Sequence, residues 1–293
     1  MDIRHLQYIR EIVKRDSFTK AAEALHIAQP TISKAVRHLE DELGTELFVR
    51  EGKSIKLTDA GEVLLRYAQP ILHLWDGLHA ELNDKSYLHQ GSIRIGLPPM
   101  AGASFFPSVL KRFQQRYPDI AVEMIEYGSL RIEEEVGSGA LDVGVVLEPV
   151  DSGRFASFPL VRERLSVIMP VSHPLAALET LSLSDLSGEK FILFSNEFAL
   201  HDRIIEECRK AGFEPDVVYE SSQWDFIKEM TAAGLGVSML PETICRTLAP
   251  EQIQVVSLDD PVIPWELAMV WRNEGYLSLA AKAWIAFVKE QFA

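Results

Sequence analysis

The sequence predicts a small helical head, one long helix and a larger α/β body. Three observations carry this. Residues 1–58 hold three short helix-like segments and then two basic strand-like runs. Residues 59–90 repeat apolar residues in steps of four and three. From Gly91 onward, apolar strand-like runs alternate with helical ones, the pattern of α/β units. A chain of 293 residues suffices for two or three domains with a sizeable core.

The net charge of −14 argues against indiscriminate nucleic-acid binding. It is unevenly spread: residues 1–66 balance acids and bases, so the excess lies in residues 67–293. A neutral head on an acidic body fits a DNA-contacting domain joined to one that avoids DNA, although an ordinary acidic protein has the same totals. Two cysteines, Cys208 and Cys245, are too few for a disulfide scaffold. Arg4, Arg10, Lys14 and Arg15 interrupt any apolar run of signal-peptide length. No stretch approaches the roughly 20 apolar residues of a membrane span. The expectation is a cytoplasmic protein without a membrane partner.

In the head, Leu6, Ile9 and Val13 recur at helical spacing and predict a first helix over about 2–15. Ser17 is placed to cap a second helix in which Ala21 and Ala22 permit close helix approach. A third helix starts near Pro30, whose missing N–H suits a first turn, and its predicted buried stripe is Ile32, Val36, Leu39 and Leu43. The opposite face presents Gln29, Thr31, Ser33, Lys34, Arg37 and His38, types that reach base edges and phosphates but equally make a solvated face. Leu47–Arg50 and Ile55–Leu57 then read as a hairpin whose Arg50, Lys53 and Lys56 suit a phosphate backbone or minor groove. Thr58-Asp59 caps the next helix.

These residues together resemble the winged helix-turn-helix of LysR-type transcriptional regulators. Phe18-Thr19-Lys20-Ala21-Ala22, Gln29-Pro30-Thr31-Ile32-Ser33, Leu39-Glu40 with Leu43-Gly44, Leu47-Phe48-Val49-Arg50 and Leu57-Thr58-Asp59-Ala60-Gly61 match the family pattern, with Ala28 departing where the family often has Ser. The resemblance implies DNA contacts by Gln29, Pro30, Thr31, Ser33, Lys34 and Arg37, and by Arg50 and Lys53 of the wing. It also implies dimerisation through the long helix, where Leu64, Ala68, Ile71, Trp75, Leu78 and Leu82 form a heptad seam. Pro70 is expected to bend that helix. A dimer sets two recognition helices one DNA turn apart, on an inverted repeat.

In the body, strands are predicted at 93–97, 121–125, 141–147, 165–170, 190–194, 217–220, 237–240 and 265–271. Helices are predicted at 106–117, from 132, at 204–210, from a Ser222 cap to 230, and at 280–292. Leu141-Asp142-Val143-Gly144, His173-Pro174-Leu175-Ala176 and Ala233-Gly234-Leu235-Gly236-Val237 before Pro241 resemble the family's two-lobed effector domain, akin to type 2 periplasmic binding proteins. The expected layout is a winged helix-turn-helix domain at 1–58, a linker helix at 59–90, lobe one at 91–161 and 264–293, and lobe two at 162–263.

Such a fold holds its ligand between the lobes, at strand ends and helix N-termini. The loops there nominate Pro99, Met100, Gly102 and Ser104, then Tyr127, Gly128 and Ser129. Lobe two adds Phe194, Ser195 and Asn196, with Gln223 and Trp224. Plain loop and capping chemistry explains each of these residues equally well. His201 beside Asp202 reads as a surface histidine. Few basic residues stand in these loops, which points to a small, weakly charged effector such as a short carboxylate, with no cofactor. Leu97–Met100, Ser222–Phe226 and Asp260–Trp265 are also similar to a CidR-type branch, linked to acetate and overflow metabolism.

An enzyme is disfavoured, since no metal-spaced cluster, phosphate loop or nucleophile elbow is found. Two alternatives stay open: a thiol switch using Cys208 and Cys245, and a DNA-binding protein without a ligand. The expected partners are operator DNA, further copies in a dimer and then a tetramer, and RNA polymerase, recruited or blocked.

Overall fold

Three polar side chains start the helices of the N-terminal unit. Asp2 caps α1 (Ile3–Arg15), accepting from the N–H groups of Arg4 and His5. Ser17 caps α2 (Phe18–Ala24), accepting from Lys20 N–H. Thr58 Oγ1 accepts from Gly61 N–H at 3.0 Å as α4 (Asp59–Asn83) begins, and donates to the Glu46 carbonyl at 2.6 Å. Between them stand α3 (Gln29–Leu43), which ends at Gly44 in the left-handed region, and the antiparallel hairpin of β1 (Phe48–Glu51) and β2 (Ser54–Leu57). The computed structural model describes residues 1–51, 54–83 and 91–292, and it divides into two compact units, Met1–Tyr87 and Leu88–Ala293.

Helix α1 is covered on two sides. Ile9 and Ile12 pack with Ala21, Ala22, Ile32, Val36, Leu39 and Leu47, while Leu6 packs with Ala68 and Leu72 of α4. This corrects two expectations. Ile12 is buried in place of Val13, because α2 and α3 lie on that side of α1. Leu43 is exposed, being the last residue of α3.

The heptad seam is split in the same way. Ala68 is fully buried within its own unit and Leu64 is packed against that core. Ile71, Trp75 and Leu78 of the predicted seam are exposed, and Val63, Tyr67 and Leu74 beside them widen the bare stripe. Pro70 lies inside the helix, and the side chain of Leu82 falls outside the described residues.

The larger unit is built on one long strand. β3 (Gly91–Leu97), β4 (Ile120–Glu126) and β5 (Val143–Leu147) run parallel, in the order β4-β3-β5. β6 (Phe155–Pro170) pairs over 155–164 with β12 (Pro264–Arg272), which also borders β5. From Leu165 on, β6 changes partners to β10 (Ser238–Pro241) and β11 (Ile253–Asp260). β11 pairs in turn with β7 (Thr180–Ser182). β8 (Lys190–Phe194) and β9 (Asp216–Ser221) pair in parallel, and a bridge from Phe191 to Val237 ties them to the rest. Two lobes result, joined where β6 changes partners and where the chain returns at Ile263-Pro264.

The first lobe's sheet is covered on both faces. On one lie α6 (Phe106–Arg116) and α11 (Leu279–Phe292), where Trp284 and Phe113 stack edge-on at 4.8 Å. On the other lies α7 (Ser129–Ser138), packed so closely that a Cβ on Gly144 would stand 2.3 Å from Ile132. The second lobe carries α8 (Ala199–Lys210), α9 (Trp224–Ala232) and the short α10 (Glu242–Cys245). Several elements differ from expectation, among them β6, which starts at Phe155 rather than 165. Pro99–Ser104 is a short helix, α5, rather than a loop, with proline at its first turn. Ser222 caps nothing, because α9 begins after Gln223. β11 was unpredicted, its run broken by Gln254 and Ser257.

Candidate functional site

The first candidate surface is the start of α3. Gln29, Pro30, Thr31, Lys34 and Arg37 are exposed and Ser33 is half-buried, while Ile32, Val36 and Leu39 anchor the opposite face in the core. Gln29 Nε2 donates to Ser33 Oγ at 2.8 Å, which orients its amide along the exposed face. Ala28 supplies no side-chain cap. His38 stacks on His5 with ring centroids 6.4 Å apart. Arg50 sits in β1 opposite Ile55, and Lys53 lies outside the described residues.

The second candidate is a cavity of about 570 Å³ in the larger unit, lined from both lobes. The first lobe contributes Pro99, Gly102, Ala103, Glu126, Tyr127 and Gly128, and the second Glu197, Phe198 and Ser222 through Asp225. Its size suits a small molecule. Where α7 starts, the lobes meet backbone to backbone: a Cβ on Gly128 would stand 2.3 Å from the Glu197 carbonyl oxygen. Helices α7, α8 and α9 all begin here, with Gly128, Phe198 and Gln223 as N-caps that make no side-chain cap bond. Arg203, one turn into α8, donates to the carbonyls of Pro264 and Glu148, at the edge of the crossover between lobes.

Of the residues nominated from sequence, Pro99, Gly102, Tyr127, Gly128, Gln223 and Trp224 line this cavity. The others do not. Met100 is buried in the core, and Ser104 Oγ donates to the Ala101 carbonyl because the segment is helical. Ser129 is buried and its Oγ accepts from Leu147 N–H, holding α7 to β5. Phe194 is a core residue packed on Phe198. Ser195 bonds Glu197, and Asn196 is exposed outside the lining. His201 is buried rather than superficial, with Asp202 at 2.7 Å and Glu220 at 3.3 Å.

Sequence reasoning missed Glu126, Glu197 and Asp225. Each adjoins a nominated residue, and the signal available was simply the acid beside it. The lining holds these three acids and no lysine, arginine or histidine among the described residues. Cys208 and Cys245 are both buried, and burial pushes each thiol up to about 12.

A helix-turn-helix with an exposed polar recognition face, followed by a two-lobed body with a cavity between the lobes, is the architecture of a DNA-binding regulator with an effector-binding domain. The comparisons place it more closely. Residues 3–62 match the family described as bacterial regulatory helix-turn-helix protein, lysR family, and residues 88–293 match the LysR substrate binding domain. The chain belongs to the LysR family of transcriptional regulators. It is 50% identical over 289 residues to the uncharacterized HTH-type transcriptional regulator YwbI of Bacillus subtilis, covering 99% of this chain and 96% of that one. It is 30% identical to the transcriptional dual regulator GltC of the same organism, over 100% of this chain and 98% of that one. A full-length OxyR variant from Pseudomonas aeruginosa has a similar structure, with a TM-score of 0.73 and 27% identity, covering 100% of this chain and 94% of that one. These relatives are regulators rather than enzymes. The CidR-type subgroup rests on sequence segments alone. No helix among the described residues is long and apolar enough to cross a membrane.

Proposed function

We propose that this regulator reads an inverted-repeat operator through Gln29, Pro30, Thr31, Ser33, Lys34 and Arg37 of α3, with Arg50 and Lys53 of the wing on the backbone. Its DNA affinity or bend responds to a small molecule held between the lobes. The observation that carries the reading is the cavity lined from both lobes. An occupant touching Tyr127 and Trp224 at once biases the lobes' relative position, which a ligand of only one lobe does not.

The exposed apolar stripe of α4 supports pairing of two chains along that helix, and further pairing into a tetramer extends the same reading. The layout taken is 1–58, 59–90, 91–161 with 264–293, and 162–263. Reciprocal linkage requires that an effector altering DNA binding is itself bound differently on DNA. Operator fragments selected from a random library, titrated with and without a cavity ligand, test this. An unchanged affinity, footprint and bend with a bound ligand overturns the switching step. RNA polymerase contact is tested by footprinting the ternary complex.

A further inference from the structure

We propose that His5 of α1 and His38 of α3 form, beside Lys34, a seat for one phosphate of the DNA backbone. The DNA-contacting surface then runs past the recognition helix onto the start of α1. This rests on the reading of α3 as the recognition helix, and it adds two residues that reading leaves out.

The shape of the surface carries the inference. A groove of about 440 Å³ opens between the two helices, lined by His5, Pro30, Thr31, Lys34, Ala35 and His38. Pro30, Thr31 and Lys34 belong to the face read as meeting DNA, so the groove continues that face. On α3 the buried stripe is Ile32, Val36 and Leu39. By helical spacing Lys34 lies opposite that stripe. His38, Thr31 and Ala35 follow round one flank, the flank that His5 borders. A helix lying in a major groove turns its flanks to the groove's walls, and those walls are sugar and phosphate.

The chemistry of the lining fits an anion. The rings of His5 and His38 stack nearly parallel, at 8° with centroids 6.4 Å apart, a separation that the oxygens of one phosphate can bridge. His5 is fixed by its own helix start. Asp2 N–H donates to His5 Nδ1 at 3.0 Å, in a capping box that leaves the side chain 19% exposed. That bond uses Nδ1 as an acceptor, so the neutral ring carries its proton on Nε2 and stays a donor. His38 is exposed, and an imidazole always has at least one N–H to give. Lys34 adds a full positive charge between them and the helix start. No acid lines the groove among the described residues. The acids nearest to it are matched by other cations: Asp2 pairs with Arg4 at 2.9 Å, and Glu42 with the Met1 ammonium at 2.7 Å.

The test uses the full chain and operator duplexes selected from a random library, read by fluorescence anisotropy at constant ionic strength. His5→Phe and His38→Phe keep an aromatic ring and remove the donors. Each is expected to weaken all duplexes by about fivefold, with base preference unchanged. A methylphosphonate linkage is then placed at one backbone position at a time, which removes that phosphate's charge. At one position per half-site it should weaken the wild type by a similar factor and the double Phe variant hardly at all. His5→Gln keeps both the capping acceptor and a donor, and is expected to bind within about twofold of wild type. Circular dichroism checks the fold. Should His5→Phe unfold α1, the exposed His38→Phe carries the same comparison. Wild-type affinity in the Phe variants overturns the inference. So does a methylphosphonate profile that is the same in wild type and variant, since the stack then only fastens α1 to α3. If Lys34→Ala and Gln29→Ala also leave affinity and base preference unchanged, the reading of α3 fails instead.

Discussion

Gly128 and Glu197 bring the two lobes together backbone to backbone, with room for a hydrogen and none for a methyl. A Cβ at Gly128 would stand 2.3 Å from the Glu197 carbonyl oxygen, well inside any real carbon–oxygen contact. Both residues line the interlobe cavity, so this approach sets how closely its walls face each other. Gly128→Ala is expected to force the lobes apart at that point. Overpacking of this kind costs about 1–3 kcal/mol, to be read from urea unfolding. The same variant should lose affinity for any ligand that spans Tyr127 and Trp224. Wild-type stability and wild-type binding together would show that the close approach is dispensable.

On the recognition helix, phosphate and base contacts predict different signatures. Lys34→Ala is expected to weaken binding to all operator sequences and to lower the salt slope by about 1. Gln29→Ala should instead cost about 1–3 kcal/mol at one base pair and relax specificity there. Fluorescence anisotropy over a salt series, with single-base operator variants, separates them.

The exposed stripe of α4 predicts the assembly. Ile71→Glu or Leu74→Glu places a charge on it without touching the Leu6–Ala68–Leu72 packing. Each is expected to shift sedimentation toward monomer while Tm changes little. Leu72→Ala, by contrast, empties a fully buried site and should cost about 2–5 kcal/mol.

The thiols predict insensitivity to mild oxidants. The thiolate is the reactive form, and burial lifts both thiols from an ordinary 9.0 to about 12. Neither Cys208 nor Cys245 should react with a thiol reagent at pH 8 until the chain unfolds. Peroxide and the double Ser variant should leave operator binding unchanged. Because the folded values are raised, the neutral thiols' contribution to stability is complete below pH 9. It is lost as pH rises through 9 toward 12, where the unfolded chain ionises first. Rapid labelling of the folded protein would contradict this.

Helix starts were legible because caps are local: Ser17 and Thr58 act within three residues of themselves. The recognition face was legible for a similar reason, since Gln29, Thr31, Lys34 and Arg37 surround the buried positions of one helix. The cavity was only half legible. Gly128 and Trp224 follow strands, where such folds place ligands. Phe194 ends a strand and Ser129 follows one, yet the first turned into the core and the second onto Leu147 N–H.

By itself, the sequence determined the helices and hairpin of the head, the long helix and the alternation of strands and helices behind them, because each depends on periodicity and capping within one segment; the two-lobed layout came from the family resemblance. Tertiary structure decided which apolar stripe of α4 stays bare, since α1 covers Ala68 and Leu72 and leaves Ile71 and Leu74 outside. It also decided which residues line the cavity. Glu126, Glu197 and Asp225 are far apart along the chain, and each taken singly is an ordinary surface acid. Only the crossing of β6 from one lobe to the other brings them to the lining of one cavity.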